Sequence, residues 1–304
     1  MKVGFIGTGD MGNPMAINVV KAGFDVVVNT RRKFRAENIL EAGASWAETA
    51  RELGEQCEVV FTALPGPKQF EDVLMDGETG LLAGLKSGSA IFDTTTNSPF
   101  VVRKIAAVCK GKGVQLLDSP ISGGGTGAQQ GTLTFMVGGD KATFEKYQPV
   151  IESMGKNLFY LGDVGNGCVA KLVTQYMGYT SLVAAAEAML IAAKAGVDLA
   201  TIYKIVPVSA GSFRMYEGFF RMIFSRQLGE DSGGIDMIAK DLMLGNELAE
   251  AVGAPHDTGA NAYAAFKRAQ EMGLGELGLW MVVKALEEKA GLELKAALDP
   301  PTPS

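Results

Sequence analysis

The sequence predicts an α/β domain followed by an all-helical domain. In the first half, short apolar runs rich in β-branched residues alternate with helical patterns, which is typical of βαβ units and a mostly parallel sheet. After Gly167 only helical periodicity remains. A chain of 304 residues also corresponds to about two domains. We therefore expect residues 1–162 to form the first domain and residues 163–304 the second.

Five runs of the first half are predicted to be strands because they are apolar, short and spaced for crossover helices: 3–6, 25–29, 58–61, 89–92 and 115–117. A further strand pair is predicted at 132–137 and 157–160. In the second half, helical spacing predicts helices over 167–195, 197–206, 234–252, 258–271 and 278–290. The first of these helices joins the two domains.

Charge and composition exclude several classes of function. The 28 Lys and Arg residues against 34 Asp and Glu residues give a net charge of −6, so no global basic field exists to bind nucleic acid or a membrane surface. Three separated cysteines and a single histidine offer neither a disulfide framework nor a multi-histidine metal site. The apolar stretch 176–196 contains Glu187 and Lys194, which favours a buried helix over a membrane span. We expect a cytoplasmic protein without a metal.

A glycine-rich loop follows the first predicted strand. Its residues Gly7-Thr8-Gly9-Asp10-Met11-Gly12 match the pattern G-x-G-x-x-G and open an amphipathic helix. The first glycine permits the tight turn, the second lets a pyrophosphate approach the backbone, and the third lets the helix lie close to the sheet. The sequence therefore favours a dinucleotide site with phosphates at the helix N-terminus, over a structural turn without a ligand.

The end of the second predicted strand bears on the choice of dinucleotide. NAD sites usually carry an acidic residue there for the ribose hydroxyls, whereas this chain has Asn29 followed by Thr30, Arg31, Arg32 and Lys33. Cations at a helix start oppose the helix dipole unless an anion offsets them. A 2′-phosphate held by Arg31 or Arg32 would do so. We predict NADP(H), with NAD(H) as the alternative cofactor and a solvated basic turn as the alternative interpretation.

A second glycine-rich loop follows the strand at 115–117. It contains Ser122, Gly123 and Gly124, and consecutive glycines leave backbone N–H groups uncovered, so they can form a concave anion site. Such a site fits a small carboxylate. The alternative interpretation is a flexible glycine loop without a ligand.

Lys171 stands on a helix that is apolar nearly all round. A buried ammonium group needs a partner or a function, because burial of an uncompensated charge is costly. Helical spacing places Lys171, Thr174, Gln175 and Gly178 on one face, which indicates a polar stripe beside a ligand. The alternative is an ordinary surface lysine. His256 stands at a helix start, and we assign it a local structural role.

Taken in order, these motifs resemble those of the β-hydroxyacid dehydrogenase family, which includes 3-hydroxyisobutyrate dehydrogenases and tartronate semialdehyde reductases. The resemblance covers essentially the whole chain. It rests on Gly7-x-Gly9-x-Met11-Gly12-x-x-Met15, Leu64-Pro65, Asp93-Thr94-Thr95-Thr96-x-x-Pro99, Asp118-x-Pro120-x-Ser122-Gly123-Gly124, Gly165-x-Gly167-x-x-x-Lys171 and Lys240-Asp241.

The resemblance implies an N-terminal Rossmann domain, a long interdomain helix, a helical C-terminal domain and assembly into a homodimer or homotetramer. It implies that Lys171 is the acid–base residue, which donates a proton to the carbonyl oxygen in reduction and takes the alcohol proton in oxidation. It also implies roles for the other site residues. Ser122, Gly123 and Gly124 would hold the substrate carboxylate, Gln175 would position the reacting oxygen, and Leu64, Pro65, Thr96 and Lys240 would line the cofactor.

The chain departs from the family pattern in three places. Thr174 and Gln175 stand where the family often has two asparagines, Thr95 replaces a serine, and Thr30 replaces an arginine common in the NADP branch. These departures bear on the substrate more than on the reaction. Two other functions remain as alternatives: an imine reductase of the same architecture, and a non-catalytic nucleotide-binding module.

Overall fold

The computed structural model describes residues 1–226 and 234–298. The chain forms two compact units, Met1–Lys171 and Leu172–Ser304. The division falls inside the long helix Asn166–Lys194, whereas the predicted domain boundary lies before this helix, between residues 162 and 163.

A six-stranded parallel sheet forms the centre of the first unit, with the strand order β3-β2-β1-β4-β5-β6. The strands are β1 (Lys2–Ile6), β2 (Asp25–Asn29), β3 (Ser45–Trp46), β4 (Val59–Thr62), β5 (Ala90–Asp93) and β6 (Gln115–Asp118). The α/β fold class and the five strands predicted for this sheet are confirmed. Strand β3 was not predicted, because two residues are too few to show a periodicity.

Both faces of this sheet are buried, so its strands are nearly continuous apolar runs. On one face the rings of Phe5, Phe61 and Phe92 form a stack, with centroids 5.3 and 5.2 Å apart. On the other face Val27, Val60, Ile91 and Leu116 join a second core cluster. Eight helices belong to this unit: α1 (Gly12–Lys21), α2 (Glu37–Glu41), α3 (Ala50–Gln56), α4 (Pro67–Met75), α5 (Leu81–Gly84), α6 (Pro99–Gly111), α7 (Gly124–Gln130) and α8 (Lys141–Glu152).

A small second sheet lies in the same unit. It consists of β7 (Ile121–Ser122), β8 (Leu133–Val137) and β9 (Gly155–Tyr160), with β7 antiparallel and β9 parallel to β8. The predicted strand pair is thus confirmed, and β7 is an addition. A backbone bridge between Asp118 and Gly138 connects the end of β6 to the end of β8.

The described part of the second unit is helical. The long helix α9 (Asn166–Lys194) begins in the first unit, and it is followed by α10 (Leu199–Ile205), α11 (Tyr216–Ser225), α12 (Ile235–Ala251), α13 (Asp257–Glu271) and α14 (Val282–Ala290). All of these helices except α11 were predicted from the sequence. That helix buries Tyr216, Phe219, Phe220 and Ile223. Its short aromatic-rich sequence contains Gly218, a combination that does not have a strong helical signature.

Within the described residues, α9 is the one helix that is long and apolar enough to cross a membrane. Length and composition alone are weak support for a span, because the core helices of soluble proteins have the same properties.

Candidate functional site

The loops after β1 and β4 meet closely at the carboxyl edge of the six-stranded sheet. Gly7 has a φ of +90°, and its N–H donates to the Asn29 carbonyl at 3.0 Å. A Cβ atom at Gly7 would collide with the Ala63 carbonyl oxygen, and one at Gly12 would collide with the Gly7 carbonyl oxygen. Both positions therefore need glycine because of the backbone itself.

Gly9 is different, because it has an ordinary φ and open space around it. A Cβ atom there would have Arg35 Nη1 as its nearest neighbour, at 3.9 Å. Next to it, Thr8 Oγ1 is buried and has no hydrogen-bond partner among the described residues. Met11, at the N-cap of α1, makes no side-chain cap. An open glycine, an orphaned hydroxyl and uncapped helical N–H groups together fit the phosphates of a dinucleotide.

In the basic segment 31–35 after β2, two cations interact with neighbouring side chains in the described part of the chain, and two do not. Lys33 Nζ lies 4.8 Å from the centre of the Trp46 ring and 3.8 Å from Glu48 Oε1. Arg35 Nη1 lies 3.9 Å from Asp10 Oδ1. Arg31 and Arg32, in contrast, are exposed and form no ion pair within residues 1–226 and 234–298.

Asn29 and Thr30 precede these cations and are half-buried. The Asn29 amide donates to the carbonyl oxygens of Ala47 and Glu48 at 2.9 and 3.2 Å. Asn29 therefore holds the chain that follows β3. With a neutral amide at this position, the strand end lacks the carboxylate that favours the ribose hydroxyls of NAD.

A buried carboxylate connects the ends of β4 and β5. Asp93 accepts hydrogen bonds from Thr62 Oγ1 at 2.8 Å, from Thr95 N–H at 3.1 Å and from Asn97 Nδ2 at 2.8 Å. Burial raises the pKa of Asp93 to about 6, although these hydrogen bonds oppose the rise. In turn, Leu64 N–H donates to Thr95 Oγ1 at 3.1 Å. Asp93 thus fixes the loops that carry Leu64, Pro65 and Thr96.

The second glycine-rich loop lies between β7 and α7. Ser122, Gly123 and Gly124 are all exposed, and the two glycines have φ values of +132° and +61°. Asn18 on α1 donates from Nδ2 to the Ala128 carbonyl on α7 at 2.8 Å. The helix that follows the first glycine loop is therefore attached to the helix that follows the second.

Lys171 lies on the second turn of α9, and its residue is only 8% exposed. The start of this helix is held by Asp118, whose Oδ1 accepts from Gly165 N–H at 2.6 Å and whose Oδ2 accepts from Cys168 N–H at 2.7 Å. Burial raises the pKa of Asp118, and the hydrogen bonds from Gly165 and Cys168 counteract part of the rise.

In the second unit, Gln175 and Lys240 meet at one carboxylate. Gln175 Nε2 donates to Asp241 Oδ2 at 2.8 Å and to the Tyr179 hydroxyl at 2.6 Å. Lys240 Nζ lies 2.8 Å from Asp241 Oδ1. Burial, together with the negative charge of Asp241, raises the pKa of Tyr179. Gln175 is thereby held by two polar groups that the sequence analysis did not assign to the site.

The structure brings the predicted residues together in two groups. In the first unit, the Gly7–Gly12 loop, Asn29, Leu64 and Thr96 follow neighbouring strands of one sheet edge. In the second unit, Gln175 and Lys240 share Asp241, and Gln175 lies one turn after Lys171 along α9. No role was predicted from the sequence for Asp93, Asp118 or Tyr179. A polar residue that ends a buried strand was the available signal for the first two.

Comparison with known proteins identifies the family of this chain. Residues 2–162 match the model of the NAD binding domain of 6-phosphogluconate dehydrogenase. Residues 165–299 match the model described as NAD-binding of NADP-dependent 3-hydroxyisobutyrate dehydrogenase. The chain belongs to the β-hydroxyacid dehydrogenase family. It is therefore an NAD(P)-dependent oxidoreductase with a Rossmann domain.

Relatives match nearly the whole chain. The 2-(hydroxymethyl)glutarate dehydrogenase of Eubacterium barkeri is 35% identical over 97% of this chain and 97% of its own. The 2-hydroxy-3-oxopropionate reductase of Escherichia coli is 35% identical over 97% of this chain and 100% of its own. A solved 3-hydroxyisobutyrate dehydrogenase from Salmonella typhimurium has a TM-score of 0.84 at 30% identity, and covers 93% of this chain and 99% of its own.

Proposed function

We propose that this protein is an NADP(H)-dependent oxidoreductase that interconverts a short semialdehyde or oxo acid and the matching hydroxy acid, with Lys171 as acid and base. The relatives support the substrate class, because their names specify a hydroxymethylglutarate and a hydroxy-oxopropionate, both small and carboxylate-bearing. The nicotinamide ring, when bound, supplies or accepts the hydride at the substrate carbon.

The burial of Lys171 is the observation that carries this proposal. Removal of an ammonium group from water is costly, so the burial of Lys171 indicates a function for the proton that it carries. In reduction Lys171 donates that proton to the carbonyl oxygen, and in oxidation its neutral amine takes the alcohol proton. Proton transfer from a held group contributes about 10²–10⁴-fold to the rate.

The remaining roles follow the same division of the site. The pyrophosphate is held by the first glycine loop: Gly7, Thr8, Gly9, Asp10, Met11 and Gly12. The rest of the cofactor is lined by Leu64, Pro65, Thr96 and Lys240. The substrate carboxylate is bound by Ser122, Gly123 and Gly124, and Gln175 positions the reacting oxygen. The open space at Gly9 and the orphaned hydroxyl of Thr8 support the first assignment. The exposure of Gly123 and Gly124 supports the carboxylate site, because glycines have no side chain to cover their backbone N–H groups.

The preference for NADP(H) rests on the basic segment. Arg31 and Arg32 are exposed and without ion pairs in the described part of the chain, so their guanidinium groups are available to a 2′-phosphate. NAD(H) lacks this phosphate, and the neutral Asn29 gives its ribose no carboxylate partner.

We further propose a cytoplasmic homodimer or homotetramer. Exposed apolar side chains on α9, among them Val173, Met177 and Ile191, support self-association, because such patches on a monomer are costly in water. Light scattering coupled to gel filtration tests it: a species of twice or four times the chain's 32.0 kDa supports the proposal, and a monomer contradicts it.

A substrate panel tests the catalytic proposal. Purified protein is assayed for NADPH and NADH oxidation with succinic, tartronic and methylmalonic semialdehydes and with glyoxylate, next to Lys171→Ala and the control Lys194→Ala, a lysine in the last turn of the same helix. We expect turnover with NADPH that Lys171→Ala loses and Lys194→Ala keeps. Activity on cyclic imines alone, or NADPH binding with no carbonyl reduction, would contradict the proposal in favour of an imine reductase or a non-catalytic module.

A further inference from the structure

Asp118 occupies the end of β6 and is completely buried. Both of its carboxylate oxygens accept backbone N–H groups at the start of α9, from Gly165 at 2.6 Å and from Cys168 at 2.7 Å. The first N–H groups of a helix have no partner within the helix, and a carboxylate is their strongest acceptor. Asp118 therefore connects the central sheet rigidly to the first turn of the long helix.

Two glycines leave the space that this carboxylate fills. A Cβ atom at Gly138 would lie 2.7 Å from Asp118 Oδ1, and one at Gly167 would lie 2.9 Å from Asp118 Oδ2. The backbones of Asp118 and Gly138 also pair, with N···O distances of 3.1 and 2.8 Å. The carboxylate is thus enclosed on both sides, and the helix start has little freedom to shift against β6.

Lys171 stands three residues after Cys168 and four residues after Gly167. These spacings place it on the same side of α9 as the Asp118 contacts, about 4.5 Å further along the helix axis than Cys168. A displacement of the helix start would carry the ammonium group with it.

We propose that Asp118 is a positioning residue for Lys171: its carboxylate fixes the first turn of α9 and so holds the lysine at the reacting oxygen. The inference rests on the proposed role of Lys171. It concerns the reaction step rather than cofactor binding, because the phosphate loop and Asn29 belong to other strands of the sheet.

The test is the Asp118→Asn variant. An asparagine keeps the size of the side chain, but its Nδ2 would face one of the two backbone N–H donors, so one of the two hydrogen bonds is lost. We expect kcat to fall about 10–100-fold, since a displacement of about 1 Å can cost that much, while the Kd for NADPH stays unchanged.

Asp140→Asn is the matched control. Asp140 caps α8 by accepting from Thr143 N–H at 2.7 Å and belongs to the same unit, but no candidate site residue lies on α8. Asn and Asp are about equally good N-cap residues, so this variant makes the same chemical change at a helix start without loss of the cap, and it leaves kcat at the wild-type value. A kcat loss in Asp140→Asn equal to that in Asp118→Asn would overturn the inference, because it would trace the effect to general destabilisation.

The Lys171→Ala background separates positioning from a structural role. If Asp118 acts through the lysine, Asp118→Asn has no further effect on the residual turnover of Lys171→Ala, whereas a structural role lowers the turnover by the same factor in both backgrounds.

Wild-type kcat in Asp118→Asn overturns the inference and leaves the proposed function intact. Wild-type turnover in Lys171→Ala overturns the proposed function itself. Asp118→Ser serves as the second variant, and if neither variant yields protein that binds NADPH, Asp118 is required for folding and the inference fails.

Discussion

The buried carboxylate of Asp93 makes a specific prediction about stability and pH. Its pKa lies at about 6 in the folded protein against 3.8 for an ordinary aspartate, because burial penalises the charged form. Between these two values the folded state binds more protons than the unfolded state. The contribution of Asp93 to stability is therefore fully present below pH 3.8, declines as the pH rises to about 6, and stays constant above that.

The size of the effect follows from the two pKa values. At 1.36 kcal/mol per pKa unit, the difference between 3.8 and about 6 corresponds to about 3 kcal/mol. Asp93→Asn removes the titration. We expect the free energy of unfolding of this variant to increase relative to that of the wild type by about 2–3 kcal/mol between pH 4 and pH 7, because the wild type loses the stabilisation from protonated Asp93 over this range.

Urea unfolding of both proteins at a series of pH values measures this difference. Asp140→Asn is the control of opposite sign, because hydrogen bonds from Thr143 lower the pKa of the exposed Asp140. Its carboxylate stabilises the fold above pH 3.8 and loses that effect as the pH falls through its lowered value. A difference between Asp93→Asn and wild type that is independent of pH, or that has the sign of the Asp140 control, would refute the reasoning.

Three further predictions concern the cofactor loop, the basic segment and the core. Gly9→Ala should weaken NADPH binding but keep the melting temperature, because the new Cβ meets no protein atom closer than 3.9 Å. Gly12→Ala should lower the melting temperature as well, because its Cβ collides with the Gly7 carbonyl oxygen. Equal melting temperatures of the two variants would contradict this prediction. Arg31→Ser should weaken NADPH binding about 10-fold and leave NADH binding unchanged, as a titration of protein fluorescence would show. Phe61→Ala should cost about 3–5 kcal/mol of unfolding free energy and Phe34→Ala, an exposed site, almost none.

The fold was predictable where the local pattern was strong. The strands of the central sheet are short apolar runs buried on both faces. The apolar segment that forms α9 has 29 residues, which is too long for a strand and therefore indicates a helix. The pattern failed in short or mixed segments. Ser45–Trp46 is too short, and Tyr216–Ser225 mixes aromatic residues with a glycine. Packing of its aromatic side chains, which the sequence does not reveal, stabilises that helix.

The candidate site was predictable as a set of motifs but not as a network. The first glycine loop could be predicted because its three glycines and the helix that follows them are adjacent in sequence. The supporting contacts join distant residues: Asp118 bonds to residues 47 and 50 positions away, and Gln175 bonds to Asp241, 66 positions away. Such pairs arise from the tertiary fold, so no local pattern contains them. For the same reason, the ion pairs of Lys33 with Glu48 and of Arg35 with Asp10 could be seen only in the structure.

Transfer of deuterium to a semialdehyde from NADPH deuterated at both hydrogens of the nicotinamide C4 tests the central claim most directly. The product is analysed by mass spectrometry for the wild type, Lys171→Ala and Lys194→Ala, each saturated with NADPH. The proposed mechanism predicts a labelled hydroxy acid from the wild type and Lys194→Ala, and formation at least about 100-fold slower from Lys171→Ala at unchanged NADPH affinity. Labelled product formed at the wild-type rate by Lys171→Ala, or no label in any product, would contradict it.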